Sequence, residues 1–295
     1  MDYPPEFSLE GFERVASIRS TNPVDFARLN RHFAPSSPSF FKTFGRGERT
    51  ACLIQRNSPI LMVAHVDTVL TPEKKARVVG SKIYHRAVDN RLGTYLGLEV
   101  LPAMGIDVDL LLTTGEEAGA STAGIFTTRK QYRWIFSFDR RGDDVVCYQY
   151  ECLALIKILE AAGFALGTGS YSCISELESL GCCGLNFGCG MADYHGDQSH
   201  FDLDVLAKQI SRFAEFYRRY SSLHFPHDTP EGRQNLHPWA VSIESLFWQL
   251  EYHIDQAADD AAENCIADLN RLFACAPELK ADFAGELTRF SRVCV

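Results

Sequence analysis

The segment Leu61-Met-Val-Ala-His65-Val-Asp67 opens with four apolar residues and ends on a histidine and a carboxylate. A run of this kind reads as a strand buried on both faces, as in a parallel sheet, with its polar groups emerging at the carboxyl end. The same grammar recurs downstream. Leu111-Leu-Thr-Thr-Gly-Glu116-Glu117 and Ile135-Phe-Ser-Phe-Asp139 again place carboxylates just beyond apolar runs, and Ala87-Val-Asp89-Asn90 adds another aspartate. His195 follows the apolar Gly184-Leu-Asn-Phe run. Charged groups at the ends of buried strands are costly unless something compensates them. A metal pair does so economically, because imidazole and carboxylate oxygen are zinc's usual ligands besides thiolate.

Working outward, strand-like runs at 50–54, 60–64, 108–112, 134–138, 145–150 and 184–187 alternate with helical periodicity over 9–18, 25–32, 91–101, 120–130, 151–162 and 205–220. This alternation predicts an α/β fold with a mostly parallel, twisted central sheet and helices on both faces. In such sheets functional groups gather at the carboxyl ends of the strands, which is where His65, Glu116, Glu117 and Asp139 fall. A stretch rich in Pro and His then reads as a linker. Beyond it Ile243, Leu246, Phe247, Leu250 and Ile254 share one helical face, Cys265, Leu269, Leu272 and Phe273 extend the pattern, and 279–293 reads as a last helix. The predicted division is a domain over 1–222, a linker or surface loop over 223–240, and a helical C-terminal extension over 241–295. An apolar stripe of that length needs a partner surface, so the extension is expected to support a homo-oligomer or to cap the site.

The net charge of -9 argues against nucleic-acid binding, which calls for a basic patch. No window approaches the roughly 18 apolar residues of a membrane span. The N-terminal Met1-Asp-Tyr-Pro-Pro-Glu-Phe carries neither a basic nor an apolar signal region, so the expected location is cytoplasmic and the ten cysteines are expected to be reduced. Cys182, Cys183 and Cys189 cluster without a pair of Cys-x-x-Cys elements, and read as small packing residues rather than a thiolate zinc site.

Taken singly, each motif has a plain reading: His65 as a packed histidine, Glu116-Glu117 as a solvated turn, Asp139-Arg-Arg141 as a surface charge cluster. Taken in order, His65-x-Asp67, Asp89-Asn-Arg-Leu-Gly93, Gly115-Glu-Glu117, Asp139 and Tyr194-His195 resemble the co-catalytic di-zinc exopeptidases, a superfamily of aminopeptidases, carboxypeptidases and aminoacylase-like zinc hydrolases. The likeness spans roughly residues 10–222. It implies two zinc ions, replaceable by Co2+ or Mn2+, bridged by Asp89, with His65 and Asp139 completing one and Glu117 and His195 the other. It also implies Glu116 as general base, Asp67 as the group orienting His65, and a cis peptide after Asp89. His200 lies near His195, and the Tyr-His pair favours His195 as the ligand. His85 stands where relatives often carry glycine. Only 55 residues, positions 140–194, separate Asp139 from His195, too few for the lid domain of many relatives, so the chain looks closest to the lidless, aminopeptidase-like branch. The activity implied is hydrolysis of a peptide or amide bond in a short peptide. The alternatives are an N-acyl amino acid or small-metabolite deacylase, and a catalytically silent binding protein of the same fold. Retention of Glu116 and every implied ligand argues against the last.

Overall fold

The computed structural model describes residues 7–30, 41–151 and 153–227, with residues 246, 247, 250, 262, 265–267, 269, 270, 273 and 280 beyond them. Residues 1–151 and 159–227 form one compact unit, and residues 152–158 and 228–295 a second.

The first unit is built on an eight-stranded sheet in the order β1-β2-β6-β3-β7-β10-β8-β9. These strands are β1 (Phe41–Arg46), β2 (Arg49–Ile54), β3 (Ile60–His65), β6 (Asp109–Thr113), β7 (Trp134–Phe138), β8 (Asp144–Val146), β9 (Ala165–Leu166) and β10 (Gly184–Phe187). The four central strands β6, β3, β7 and β10 run parallel, whereas β1, β2 and β8 pair antiparallel with their inner neighbours. Every residue of those four central strands is buried, which is why they read as largely apolar runs. A smaller four-stranded sheet has the order β11-β12-β5-β4, from β4 (Arg77–Val79), β5 (Lys82–Tyr84), β11 (Met191–Ala192) and β12 (His200–Asp202).

The helices are α1 (Leu9–Ala16), α2 (Pro23–Ala27), α3 (Val88–Tyr95), α4 (Leu101–Ala103), α5 (Leu153–Ala161) and α6 (Leu203–Tyr220), with α3 running into α4 through a π-type segment at Leu96–Val100. Helix α6 starts under an Asp202 cap, whose side chain accepts from the Asp204 and Val205 amides. It sets Phe213 against Phe136, Phe138 and Phe187, with ring centroids 4.7–5.2 Å apart. Fully burying one such ring contributes roughly 1.5–3 kcal/mol, so this aromatic layer fixes β7 and β10 together. On the opposite face of the sheet, the Tyr150 ring lies against Gly184 and the Cys173 thiol lies 3.2 Å from Thr113 Oγ1.

Three local expectations need correction. The helix expected over 120–130 is only a short 3-10 turn, Thr122–Ile125. Ser121 and Thr122 spend their hydroxyls on neighbouring main chain, and Gly124 lowers helix propensity further. The strand expected over 145–150 stops at Val146, because Tyr148 adopts φ +48. The helix expected over 25–32 covers Pro23–Ala27; residues 31 and 32 lie outside the described ones. In the second unit the described residues Leu246, Phe247, Leu250, Ala262, Cys265, Leu269 and Phe273 are helical, and the Phe247 and Phe273 rings lie 6.3 Å apart. The linker from 228 onward and the last helix, apart from Lys280, lie outside the described residues. Among the described residues, no helix is long and apolar enough to cross a membrane.

Candidate metal centre

Strand β3 delivers His65 into the interior with no solvent exposure. Its ring is held at both nitrogens. Nδ1 faces Asp67, 3.2 Å from the main-chain oxygen and 3.4 Å from Oδ1. Nε2 faces three carboxylates: Asp89 Oδ1 at 3.1 Å, Asp139 Oδ1 at 3.5 Å and Glu116 Oε2 at 3.7 Å. Asp67 also accepts from the Glu117 amide at 3.2 Å, tying the loop after β6 to the loop after β3.

Asp89 sits at the mouth of α3 with φ -87 and ψ 114, so the helix proper begins after it. The Asp89–Asn90 peptide is cis, as the resemblance implies. The neighbouring residues of the Asp-Asn-Arg-Leu-Gly motif each have a physical task. Asn90 caps the helix by accepting from the Gly93 amide at 2.9 Å. A Cβ on Gly93 would fall 2.3 Å from Asn90 Oδ1 and 2.5 Å from the Phe138 carbonyl, so only glycine lets α3 approach β7 this closely. Arg91 is wholly buried and donates to the carbonyls of Val15, Ile18 and Ser20, drawing the segment after α1 onto the site. Burial pushes the Arg91 pKa down to about 9, while the nearby Asp67 charge favours the cation.

His195 arrives from the other side, on the loop between β11 and β12. Its Nε2 lies 2.9 Å from Glu117 Oε2 and 3.1 Å from Asp89 Oδ2. The two oxygens of Asp89 therefore serve two different histidines. All six residues singled out in the sequence as ligands or base, His65, Asp89, Glu116, Glu117, Asp139 and His195, meet through these contacts, with Asp67 beside them. Two subsets, His65 with Glu116 and Asp139, and His65 with Asp89 and Glu117, bring ligand atoms within 4.8 Å of one another.

His200 stays outside the cluster: its Nδ1 lies 2.9 Å from the Gln198 carbonyl and its ring packs on Tyr84. His85 braces the approach to Asp89, with Nδ1 accepting from the Ala87 amide and Nε2 donating to the Glu73 carbonyl, each at 3.1 Å. Burial lowers its pKa, in keeping with that neutral tautomer. Cys182, Cys183 and Cys189 are buried, and the Cys183 thiol donates to the Pro226 carbonyl at 3.1 Å. Asn186, which the motifs do not include, is marked in the sequence only as a polar residue inside the otherwise apolar β10 run.

The electrostatics describe a cluster short of positive charge. Burial, reinforced by neighbouring carboxylates, pushes Glu116, Glu117 and Asp139 each up to about 7. Burial also works against the Asp89 charge, but hydrogen bonds from His195 and His65 hold its carboxyl well below the usual range. Burial likewise opposes the His65 cation, yet Asp139, Asp67 and Asp89 raise its pKa well above the ordinary imidazole value. His195 is raised chiefly by its hydrogen bond to Asp89. Protons thus occupy positions that cations of higher charge could take. Glu117 Oε1 is buried and has no hydrogen-bond partner. An all-oxygen and imidazole donor set with an unmet carboxylate oxygen fits divalent zinc, cobalt or manganese.

The sequence matches no family model and no curated protein. Solved structures do match. Aminopeptidase PepT from Bacillus cereus superposes with a TM-score of 0.50 at 10% identity, over 70% of this chain and 96% of that one. A tripeptidase from Staphylococcus aureus gives 0.52 at 11% identity, over 72% and 97%. The chain shares the fold of these two peptidases. At such identities the likeness speaks for the fold, and the chemistry rests on the residues described above.

Proposed function

We propose that this protein is a metal-dependent hydrolase of peptide or amide bonds, acting as an aminopeptidase on short peptides. The observation that carries the reading is Asp89, whose two carboxylate oxygens face His65 and His195 separately at 3.1 Å each. That is the disposition of a carboxylate shared between two cations. In this reading His65 and Asp139 would hold one metal, Glu117 and His195 the other, and Asp89 would contribute to both. Two bound zinc ions would polarise the scissile carbonyl and lower the pKa of the attacking water.

The chain's own residues supply the rest. Asp67 accepts a hydrogen bond from the Nδ1–H of His65, which fixes the tautomer and leaves the Nε2 lone pair free to bind a metal. Glu116, beside the cluster and pushed by burial to about 7, accepts a proton from the water and passes it to the leaving amine. Arg91 sets a fixed positive charge behind Asp67, limiting the repulsion among the carboxylates. The catalytic domain is taken as residues 1–222, and the apolar stripe from Ile243 to Ile254 as an assembly surface for a homo-oligomer.

The peptidase reading over the deacylase reading draws on the fold shared with an aminopeptidase and a tripeptidase, and on the short span between Asp139 and His195. The test is a screen of the zinc- or cobalt-restored protein against aminoacyl, peptide and N-acyl substrates. Release of N-terminal residues from free-amine peptides is expected. Turnover confined to N-acyl amino acids would replace this reading with the deacylase, and binding without turnover would favour the silent protein.

A further inference from the structure

Asn186 is the polar exception in β10. Its side chain is buried, with 1% of the residue exposed, and all of its polar capacity is turned toward one residue and one ring. Oδ1 accepts from the Asp139 amide at 3.1 Å, and Nδ2 donates to the Asp139 carbonyl at 3.1 Å. The carboxamide therefore acts as an additional peptide group, continuing the β7–β10 pairing one residue past its last backbone partners, Phe138 and Phe187. The second Nδ2 proton goes to Tyr148 Oη at 2.9 Å. The two Asp139 bonds dictate which end of the amide is nitrogen, because a flipped carboxamide would oppose the Asp139 N–H with an N–H and the carbonyl with an oxygen.

Tyr148 reaches this place at a cost. Its φ of +48 lies in the left-handed region, unusual for a bulky residue. Gly169 comes so close that a Cβ there would lie 2.9 Å from Tyr148 Cε1. Strained positions of this kind persist where the surroundings over-determine them, and they gather at functional sites. Among the described residues, Asn186 carries the hydrogen bonds of the Asp139 main chain, and the next bond toward β10 is the Cys189 amide on the Arg140 carbonyl at 3.0 Å.

We propose that Asn186, oriented by Tyr148, is a positioning residue that sets the Asp139 carboxylate at the metal centre. It grips the main chain on both sides of the Asp139 Cα, so the carboxylate is aimed without any contact to the carboxylate itself. The inference rests on the di-metal reading above and predicts an asymmetric effect. Weakening Asn186 should loosen the metal held with Asp139 and spare the one held by Glu117 and His195.

The experiment is a Co2+ titration of the full-length protein, followed by visible absorption and by chelator competition. The wild type is expected to take two equivalents. Asn186→Leu should keep one equivalent at wild-type affinity and hold the second about 10–100-fold more weakly, the usual effect of removing a group that orients a ligand. Its one-equivalent spectrum should match that of Asp139→Asn and differ from that of Glu117→Gln. Tyr148→Phe, which keeps the ring and removes the acceptor, should shift the same site in the same direction by less, and it guards against Asn186→Leu failing to fold. Wild-type affinity for both equivalents in Asn186→Leu and Tyr148→Phe, even with a lower melting temperature of the metal-free protein, would assign Asn186 to stability alone and overturn the proposal. Equal weakening of both sites would overturn it as well. A wild type that takes up no second equivalent would remove the di-metal reading itself, and this inference with it.

Discussion

His65 and His195 meet the same carboxylate from opposite sides, yet they are made by different kinds of structure. His65 ends a strand whose every residue is buried, and its carbonyl receives the Thr94 hydroxyl at 3.2 Å. His195 lies on a loop, at φ +66 and with 44% of its side chain exposed. That loop is fastened by the Arg86–Asp197 ion pair at 2.8 Å and by the Gly196 carbonyl accepting from the Ser199 amide. The contrast teaches that one half of the centre is a by-product of folding the core. The other half depends on ordering a loop, which costs backbone entropy of about 1–2 kcal/mol per residue fixed. The His65 half is therefore expected to be the tighter metal site and the His195 half the one that closes on loading.

The largest expected effect leaves both halves intact. Glu116→Gln keeps the shape of the side chain and removes its proton-accepting capacity, so turnover should fall by about 10²–10⁴-fold with metal content unchanged. Steady-state kinetics on metal-quantified protein check this, and near-native turnover would take Glu116 out of the proton-accepting role. Asp67→Ala strikes the His65 half, removing the carboxylate beside Nδ1; metal affinity should drop about 10–100-fold at that half, measured by chelator competition. Equal loss at both halves would erase the distinction drawn here.

Acidity sharpens the comparison further. In the metal-free protein, Glu116, Glu117 and Asp139 titrate near 7, against 4.5, 4.5 and 3.8 in their ordinary state. Between those limits the unfolded chain has released protons that the folded chain keeps, so the contribution of these three carboxyls to metal-free stability should fall as pH rises from about 4 to about 7 and then level off. His65 and His195, raised in the folded state, add losses of the same sign as pH rises through their folded values. Asp89 and Asp67 are depressed, and their contribution is lost only below this window, as pH falls. Zinc replaces the retained protons, so the melting-temperature gain on adding zinc should be markedly larger at about pH 7.5 than at about pH 5.5. Differential scanning fluorimetry would show an equal gain at both values if the carboxyls are ordinary.

Removing the two histidines in turn should separate folding from binding. His65→Ala leaves a buried void and unmet carboxylate oxygens, and should destabilise the metal-free protein by about 1–3 kcal/mol in urea denaturation. His195→Ala should stay within about 0.5 kcal/mol while losing the second metal. The smallest effect is expected from Arg86→Ala, which breaks a partly exposed ion pair worth about 0.2–1 kcal/mol and should weaken only the His195-side metal.

The legibility of the sequence divides along the same line. The central strands could be read because both their faces are buried, which leaves continuous apolar runs such as Leu61–Ala64 and Trp134–Phe136. The carboxylates just beyond them stood out because charge next to such runs is uncommon. The small sheet could not be read: β4 is exposed throughout and β11 and β12 are two and three residues long, so neither period nor length marks them. Yet it is this sheet that frames the His195 loop. The partners of the ligands were hidden for another reason. Asn186, His85 and Arg91 act through main-chain groups that come close only in the folded chain, and a sequence does not state which carbonyl a buried amide or guanidinium will find.

The central claim is that Asp89 is shared between two metals, one presented by the core and one by the loop. Crystals soaked in zinc and measured on both sides of the zinc absorption edge test it directly. The account predicts two anomalous peaks flanking the Asp89 carboxylate, one adjoining His65 and Asp139 and the other adjoining Glu117 and His195, with the second losing occupancy first as zinc is withdrawn. A single peak, or two peaks of which neither touches Asp89, would contradict it.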